Sequence, residues 1–245
     1  MGSLLVSYDS TGHVSLINVK ERTLEGSIDM TEVERATERS LSIAGDSAVT
    51  SKGAITACCH PLAYINKFVF AFAGGALELW NIRKKSKVYS FKSHLVDDSM
   101  GSGRADGQSV SVMGASPAVD VIALGFTSGR VMGLNLRLDQ AIFAFQQESG
   151  IVTSLSFRSD VGNNRNPHLA TGDSEGRLYI WKLGGSSRLG NSTRNSGDEG
   201  MITMDQSDAD SRGLHTIIDA HAMKVGSVFY LYGEPVLVTA ASDNS

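Results

Sequence analysis

A glycine turn that recurs along the chain is the feature that most constrains its fold. Gly12, Gly75, Gly129 and Gly176 come directly before the runs HVSLIN, ALELWN, RVMGLN and RLYIWK. A short apolar run precedes each glycine turn, and a polar or basic turn with a further apolar run follows it. Strand-length runs of alternating polarity, bounded by turn residues, predict β-strands. The sequence therefore predicts a repeated unit of antiparallel strands.

This repeated unit is typical of the blades of a β-propeller. The second, third and fourth copies each divide into four strands, the number found in a propeller blade. A blade occupies ~40–45 residues, and the turn glycines recur after 63, 54 and 47 residues. The blades are predicted at residues 1–29, 54–92, 109–146, 151–219 and 226–245, the last of them incomplete. Each blade hides one face against its neighbour, so a single blade is not stable alone.

Three polar inserts account for the length that exceeds a regular blade. They are residues 31–51, 96–108 and 184–213, and the third is rich in Gly, Ser, Asn and Asp. Segments of this composition bury little apolar surface, so we expect them to form exposed loops. The third insert, inside the fourth blade, is predicted to be flexible and disordered.

Composition excludes several classes of protein. The 245 residues are 41% hydrophobic and 20% charged, which suits a globular core. The net charge of −4 does not indicate a basic, nucleic-acid-binding domain. No apolar run approaches the ~20 residues of a membrane span, and the first residues lack the pattern of a signal peptide. We therefore predict an intracellular protein without a membrane partner.

Several polar and aromatic residues resemble the pattern of WD repeats. The segment LATGDSEGRLYIWKL is similar to the WD-repeat consensus, and AHAMKVGSV with LVTAASDNS is similar to its beginning and its turn. In that family such side chains form hydrogen bonds across a blade and stiffen it. The residues at these positions are Trp80, Thr171, Trp181, His221, Thr239 and Asp243. The pattern is incomplete, because Gly74, Ser128 and Glu175 stand where the turn aspartate is expected.

Longer motifs resemble one particular WD-repeat family. The segments HPLAYINK, GGALELWNIRKKSKVYSF, ASPAVDVIALGFTSGR and IVTSLSFRSD occur in the order of the WD-repeat protein of the UtpB subcomplex of the small-subunit processome. The resemblance implies a seven-bladed propeller, of which the chain holds about four to five blades. It also implies that the chain is incomplete, since that family has two tandem propellers and a helical C-terminal region.

The same resemblance implies where and with what the protein works. The family associates with U3 small nucleolar RNA and acts in maturation of 18S ribosomal RNA in the nucleolus, within the nucleus. The implied partners are other UtpB and small-subunit processome proteins. Contact with U3 RNA or pre-ribosomal RNA would be indirect or through local basic patches.

Candidate sites for chemistry are weak. Cysteine and histidine are residue types that bind metals, and they occur close together at Cys58, Cys59, His60 and His94. Zinc sites, however, usually show two spaced pairs of ligands. The alternative, two cysteines within or beside a strand, is favoured. No catalytic motif is present: Asp97 and Asp98 lie in an insert, and GSGRADG matches no phosphate-binding spacing. We therefore predict no metal site, no cofactor and no enzymatic activity.

One basic cluster is a candidate contact for RNA phosphate or for an acidic protein surface. Arg83, Lys84, Lys85 and Lys87 lie in and beside the turn that follows Trp80. The alternative is an ordinary solvated turn, because no aromatic side chains interleave with these charges as stacking on single strands requires.

The repeated strands predict an all-β, partial β-propeller. The resemblance implies a WD-repeat, non-catalytic interaction scaffold that acts in small-subunit processome assembly and 18S pre-ribosomal RNA processing. The alternative function is a generic WD-repeat adaptor, such as a substrate receptor for ubiquitin ligation or a chromatin reader. The chain alone is expected to fold poorly, because its end blades would expose unpaired strand edges.

Overall fold

The computed structural model describes residues 4–9, 11–30, 53–92, 109–158, 168–183 and 213–243. Within these ranges the chain forms seventeen β-strands in five antiparallel sheets. The predicted all-β propeller class is therefore confirmed. The described part of the chain contains no helix that is long and apolar enough to cross a membrane.

The strands follow one another in each sheet in the order of the sequence. The first sheet has three strands: β1 (Leu4–Tyr8), β2 (His13–Asn18) and β3 (Thr23–Asp29). The second has four: β4 (Ile55–Cys59), β5 (Lys67–Phe72), β6 (Leu77–Asn81) and β7 (Ser86–Phe91). The third also has four: β8 (Val110–Ala115), β9 (Val121–Phe126), β10 (Arg130–Asn135) and β11 (Gln140–Gln146).

The fourth sheet contains β12 (Val152–Phe157), β13 (His168–Asp173), β14 (Arg177–Lys182) and β15 (Gly213–Asp219). The described part of the fifth contains β16 (Val225–Tyr230) and β17 (Leu237–Ala241). Gly213 was predicted to close the third insert, but it pairs with Lys182 as the first residue of β15. The remainder of that insert, 184–212, lies outside the described residues, as do the inserts 31–51 and 96–108.

The apolar cores lie between successive sheets. Val14 and Leu16 of β2 share a core with Phe70 and Trp80 of the second sheet. Similar clusters join the second sheet to the third, the third to the fourth, and the fourth to the fifth. Burying one large aliphatic or aromatic side chain contributes about 1.5–3 kcal/mol. Each sheet is thus stabilised mainly by its neighbours, as propeller blades are.

A hydroxyl at a bulge in the first strand of a sheet also connects neighbouring sheets. The register of β8 shifts around Ser111, whose Oγ donates to Gly125 O in its own sheet or to Val152 O in the next, 3.1 and 2.5 Å away. Thr153 lies at the corresponding bulge of β12, and its Oγ1 is 2.5 Å from Val225 O in the fifth sheet. The bulge places each side chain where it links the first strands of two neighbouring sheets.

The two cysteines occupy different cores. Cys59 belongs to the core between the second and third sheets, whereas Cys58 packs against the core between the first and second. Side chains of successive residues in a strand point to opposite faces of the sheet, so the two thiols lie on opposite sides although the cysteines are neighbours in sequence. Burial raises the pKa of Cys58 to about 11 and that of Cys59 to about 12.

We therefore expect both thiols to react slowly with iodoacetamide in the folded protein. At about pH 8 a thiol with these pKa values is ionised in about one molecule in a thousand or fewer, and the thiolate is the reactive form. The pKa of each thiol is higher in the folded protein than in the unfolded chain. The contribution of the two buried, neutral thiols to the free energy of unfolding is therefore complete below about pH 9 and declines as pH rises toward 11–12. Mass spectrometry of alkylated peptides gives the rates, with the urea-unfolded protein as the fast control. Rapid native alkylation would contradict the burial of both side chains.

Candidate functional site

A buried polar cluster holds the fourth sheet against the third. Thr171 Oγ1 on β13 accepts a hydrogen bond from Trp181 Nε1 of β14, 2.9 Å away. It also accepts one from Gln147 Nε2, 2.7 Å away, in the connection between β11 and β12. All three residues are buried. A paired buried polar group fixes one geometry, so this cluster sets how the third and fourth sheets meet.

Replacing Thr171 with valine should destabilise this junction. The valine has nearly the same shape but accepts no hydrogen bond, so the buried Trp181 and Gln147 donors lose a partner. We expect a loss of about 1–3 kcal/mol. Hydrogen exchange of β13 and β14 measures it, and Thr127→Val, at an exposed threonine between β9 and β10, is a comparison that leaves the cluster intact. Unchanged exchange in Thr171→Val would show that the cluster contributes nothing to the junction.

The turn between β13 and β14 is held by a carboxylate that the WD-repeat pattern did not predict. Asp173 Oδ1 accepts from the amides of Glu175 and Arg177 at 2.8 and 2.9 Å, and Asp173 Oδ2 pairs with Arg177 Nε at 2.9 Å. Glu175, which stands at the expected turn-aspartate position, accepts from Ser149 Oγ of the preceding connection at 2.9 Å. The turn and its link to the neighbouring connection therefore use two different carboxylates.

The first sheet uses the same turn device. Asp9 Oδ1 accepts from the amides of Thr11 and His13, at 2.9 and 3.1 Å, just before β2. These donors, with the Thr11 hydroxyl foremost, hold the pKa of Asp9 below its usual value. In the second and third sheets, a buried phenylalanine takes the place of the aspartate. Phe72 and Phe126 precede the turn glycines Gly75 and Gly129 by the same number of residues as Asp9 precedes Gly12. Those turns rely on apolar packing in place of a carboxylate.

The three polar residues predicted in the fifth unit lie together. His221 Nε2 is 2.9 Å from Thr239 Oγ1, and His221 Nδ1 is 3.5 Å from Asp243 Oδ2. Asp243 Oδ2 also accepts from the amide of Ala222 at 2.8 Å. The histidine thus connects strand β17 to the turn that follows it.

Trp80, in the second sheet, has a different partner from Trp181. Its Nε1 donates to Glu78 Oε2, 2.8 Å away, because Phe70 occupies the position that corresponds to Thr171. Glu78 is almost completely buried, and Lys87 Nζ lies 3.2 Å from its other oxygen. The charge of Lys87 is therefore used within the blade, and only the exposed part of the ammonium remains for an outside contact.

The rest of the basic cluster lies on the exposed turn between β6 and β7. The amides of Arg83 and Lys84 donate to Asn81 Oδ1 at 3.1 and 2.9 Å, which fixes the backbone. Arg83 Nε donates to Asn66 Oδ1 at 3.1 Å. Arg83, Lys84 and Lys85 are exposed to solvent. Contact with RNA or with an acidic partner through these side chains stays a prediction.

The candidate metal ligands do not converge within the described residues. No group of three or more metal-binding side chains lies close together in the ranges that the structure describes. The ring of His60 lies against that of Phe68, tilted by 32° with centroids 4.8 Å apart, and His60 Nε2 is 3.1 Å from Tyr64 O. His94, Asp97, Asp98 and the segment GSGRADG lie outside the described residues. The geometry is that of a structural repeat whose polar groups join strands and blades.

Comparison with known proteins agrees with this geometry. A family model described as the WDR36/Utp21 first beta-propeller matches residues 1–245. The chain is 29% identical over 191 residues to human WD repeat-containing protein 36, and 31% identical over 191 residues to the Schizosaccharomyces pombe U3 small nucleolar RNA-associated protein 21 homolog. It is 26% identical over 196 residues to U3 small nucleolar RNA-associated protein 21 of Saccharomyces cerevisiae.

These matches cover 78%, 78% and 79% of this chain but only 17%, 17% and 16% of the relatives' own lengths. Among solved structures, the computationally designed Ika8 protein is similar, with a TM-score of 0.56 and 14% identity. That match covers 100% of this chain and 54% of the Ika8 chain, and it concerns the fold alone. The motifs singled out in the sequence and the match along its full length agree: the chain belongs to the WDR36/Utp21 first beta-propeller family.

Proposed function

We propose that this protein is a non-catalytic interaction scaffold that acts in assembly of the small-subunit processome and in processing of 18S pre-ribosomal RNA. The observation that carries the proposal is the family match over residues 1–245. Two relatives, whose matches cover 78% and 79% of the chain, are named for association with U3 small nucleolar RNA. The proposed site of action is the nucleolus, within the nucleus, and the proposed partners are processome proteins.

The geometry of the described residues favours a scaffold. The buried polar side chains of Thr171, Asp173 and Glu78 pair with neighbouring strands, turns and blades. Groups that serve catalysis are usually gathered in a cleft with partners that shift their pKa. Here the same residue types stabilise strands and turns, and the exposed loops and strand edges are the surfaces offered to other molecules.

Affinity purification of the full-length protein from nuclear extract tests this proposal. We expect U3 RNA and several small-subunit processome proteins to be enriched over a purification with an unrelated tagged propeller. Northern blotting measures the RNA, and quantitative mass spectrometry measures the proteins. Recovery of cullin or chromatin subunits without U3 RNA and processome proteins would instead support the adaptor function and overturn the proposal.

A further inference from the structure

Three connections emerge on the same side of the first two sheets. In an antiparallel sheet with strands in sequence order, the first–second and third–fourth connections share one side. In the second sheet these are residues 60–66 and 82–85, and the amide of Ile82 donates to Asn66 O at 2.9 Å across them. The connection between β2 and β3, residues 19–22, lies on the same side, since Glu25, near the start of β3, is 3.9 Å from Arg83 of the second sheet.

A chain of polar contacts joins these connections across the boundary between the two sheets. Asn18 Nδ2 donates to Glu25 Oε1 at 2.9 Å, and Arg83 Nη2 lies 3.9 Å from Glu25 Oε2. Arg83 also donates to Asn66, as described above. We call the surface formed by residues 19–25, 65–66 and 83–85 the basic seam.

The backbone of the basic seam is held in place before any partner binds. Asn18 Oδ1 accepts from the amides of Lys20 and Glu21, both at 3.1 Å. Asn81 caps the second turn in the same way. A preformed turn presents its side chains at a lower entropic cost than a mobile loop does.

The basic seam combines positive charge with exposed apolar side chains. The two turns, 19–22 and 82–85, carry five cationic side chains and one carboxylate. Glu25 lies beside Arg83 and offsets that one cation, and the other four cations still outnumber the carboxylate of Glu21. Val19, Leu24 and Ile65 are 50%, 65% and 72% exposed around these charges.

This combination favours an acidic protein segment over RNA. Cations attract carboxylates and phosphates alike, but the apolar side chains find a complement only in a protein segment that carries apolar residues of its own. Single-stranded RNA is usually held by aromatic stacking, and neither turn nor β3 contains an aromatic residue. We propose that the basic seam binds an acidic segment of a partner protein that also carries apolar anchor residues. The identity of that partner rests on the proposed function, whereas the chemistry of the segment does not.

Zero-length carbodiimide cross-linking of the affinity-purified, full-length protein tests this inference, since it joins lysine directly to aspartate or glutamate. We expect Lys20, Lys84 or Lys85 to be linked to one acidic, leucine- or isoleucine-containing segment of a co-purifying protein. Ultraviolet cross-linking of the same material reports contact with RNA. RNA cross-links at 82–85, or no carboxylate cross-link to another protein from these lysines, would overturn the proposal.

Charge-reversal variants provide the second measurement. Lys84→Glu combined with Lys85→Glu should reduce recovery of the cross-linked partner about tenfold, because two attractions become repulsions. Lys224→Glu, an exposed lysine in the connection between β15 and β16, is the matched control and should leave recovery unchanged. An equal loss in both variants, or none in the double variant, would also overturn the proposal. U3 RNA is measured in parallel, so failure of the processome proposal would be seen separately.

Discussion

Replacing Gly172 with valine should open the junction between the fourth and fifth sheets. A Cβ at this position would lie 2.6 Å from Val225 Cγ1 and 2.8 Å from Ser154 Oγ, closer than real Cβ contacts allow. Valine adds two further methyl groups to the same closed space. We expect a cost of roughly 3 kcal/mol or more, the upper end of overpacking penalties. In the full-length protein, hydrogen exchange of β12, β13 and β16 should become much faster.

Gly226 provides the matched control for this substitution. It lies at the bulge of β16, next to the same junction, but a Cβ there would meet only Ala240 O at 3.6 Å, an ordinary contact. Gly226→Ala should therefore leave exchange of the same strands unchanged. If Gly172→Val behaved like Gly226→Ala, the junction would not be packed as tightly as the distances around Gly172 indicate.

Truncating Trp181 to alanine should have the second large effect, at the junction of the third and fourth sheets. The indole is buried, stacks in parallel on Phe145 with centroids 4.8 Å apart, and lies 5.8 Å from the ring of Tyr179. It also donates to Thr171. Removing a buried tryptophan costs about 3–5 kcal/mol. Hydrogen exchange of β11, β13 and β14 should show a fall of this size in the free energy of local opening.

Two comparison variants separate the parts of this effect. Trp181→Phe keeps an aromatic ring against Phe145 but removes the Nε1 donor, so its cost should lie between that of alanine and zero. Leu138→Ala removes an exposed side chain and should change little. A Trp181→Ala variant that matched Leu138→Ala would contradict the view that inter-sheet packing stabilises this fold.

The repeated turn glycine carries most of the information needed to predict the fold. It is followed by a strand in the first four units, and β2 (His13–Asn18) coincides with the run HVSLIN. Gly12, Gly75, Gly129 and Gly176 all have φ between 82° and 92°, a conformation that favours glycine. A local requirement of this kind is visible in one sequence because a single residue type satisfies it.

The polar contacts of the blades were less predictable, because their partners are distant in sequence. Gln147 lies 24 residues before Thr171 and in the connection from the preceding sheet, so no local pattern pairs them. Asp173 was missed because Glu175, two residues later, better matches the expected turn position. Glu78 alternates with apolar neighbours, which suggests an exposed face, yet it is buried as the partner of Trp80.

The candidate contact surface was also only partly predictable from the sequence. Sequence groups Lys87 with Arg83, Lys84 and Lys85, but the structure shows Lys87 beside buried Glu78. The contribution of the first sheet to the basic seam depends on Glu25, which is 58 residues away from Arg83 and is brought near it only by the packing of two sheets. Charge runs can be recognised in a sequence, whereas surfaces built from several turns require the fold.

Maturation of 18S ribosomal RNA after rapid depletion of the full-length protein tests the central claim most directly. Pulse labelling and northern blotting would follow mature 18S RNA and its precursors, with large-subunit RNA as the internal reference. We expect mature 18S RNA to fall and its precursors to accumulate, and we expect the intact protein, but not Gly172→Val, to restore 18S maturation. Unchanged 18S maturation after depletion would show that the protein is not needed for this process.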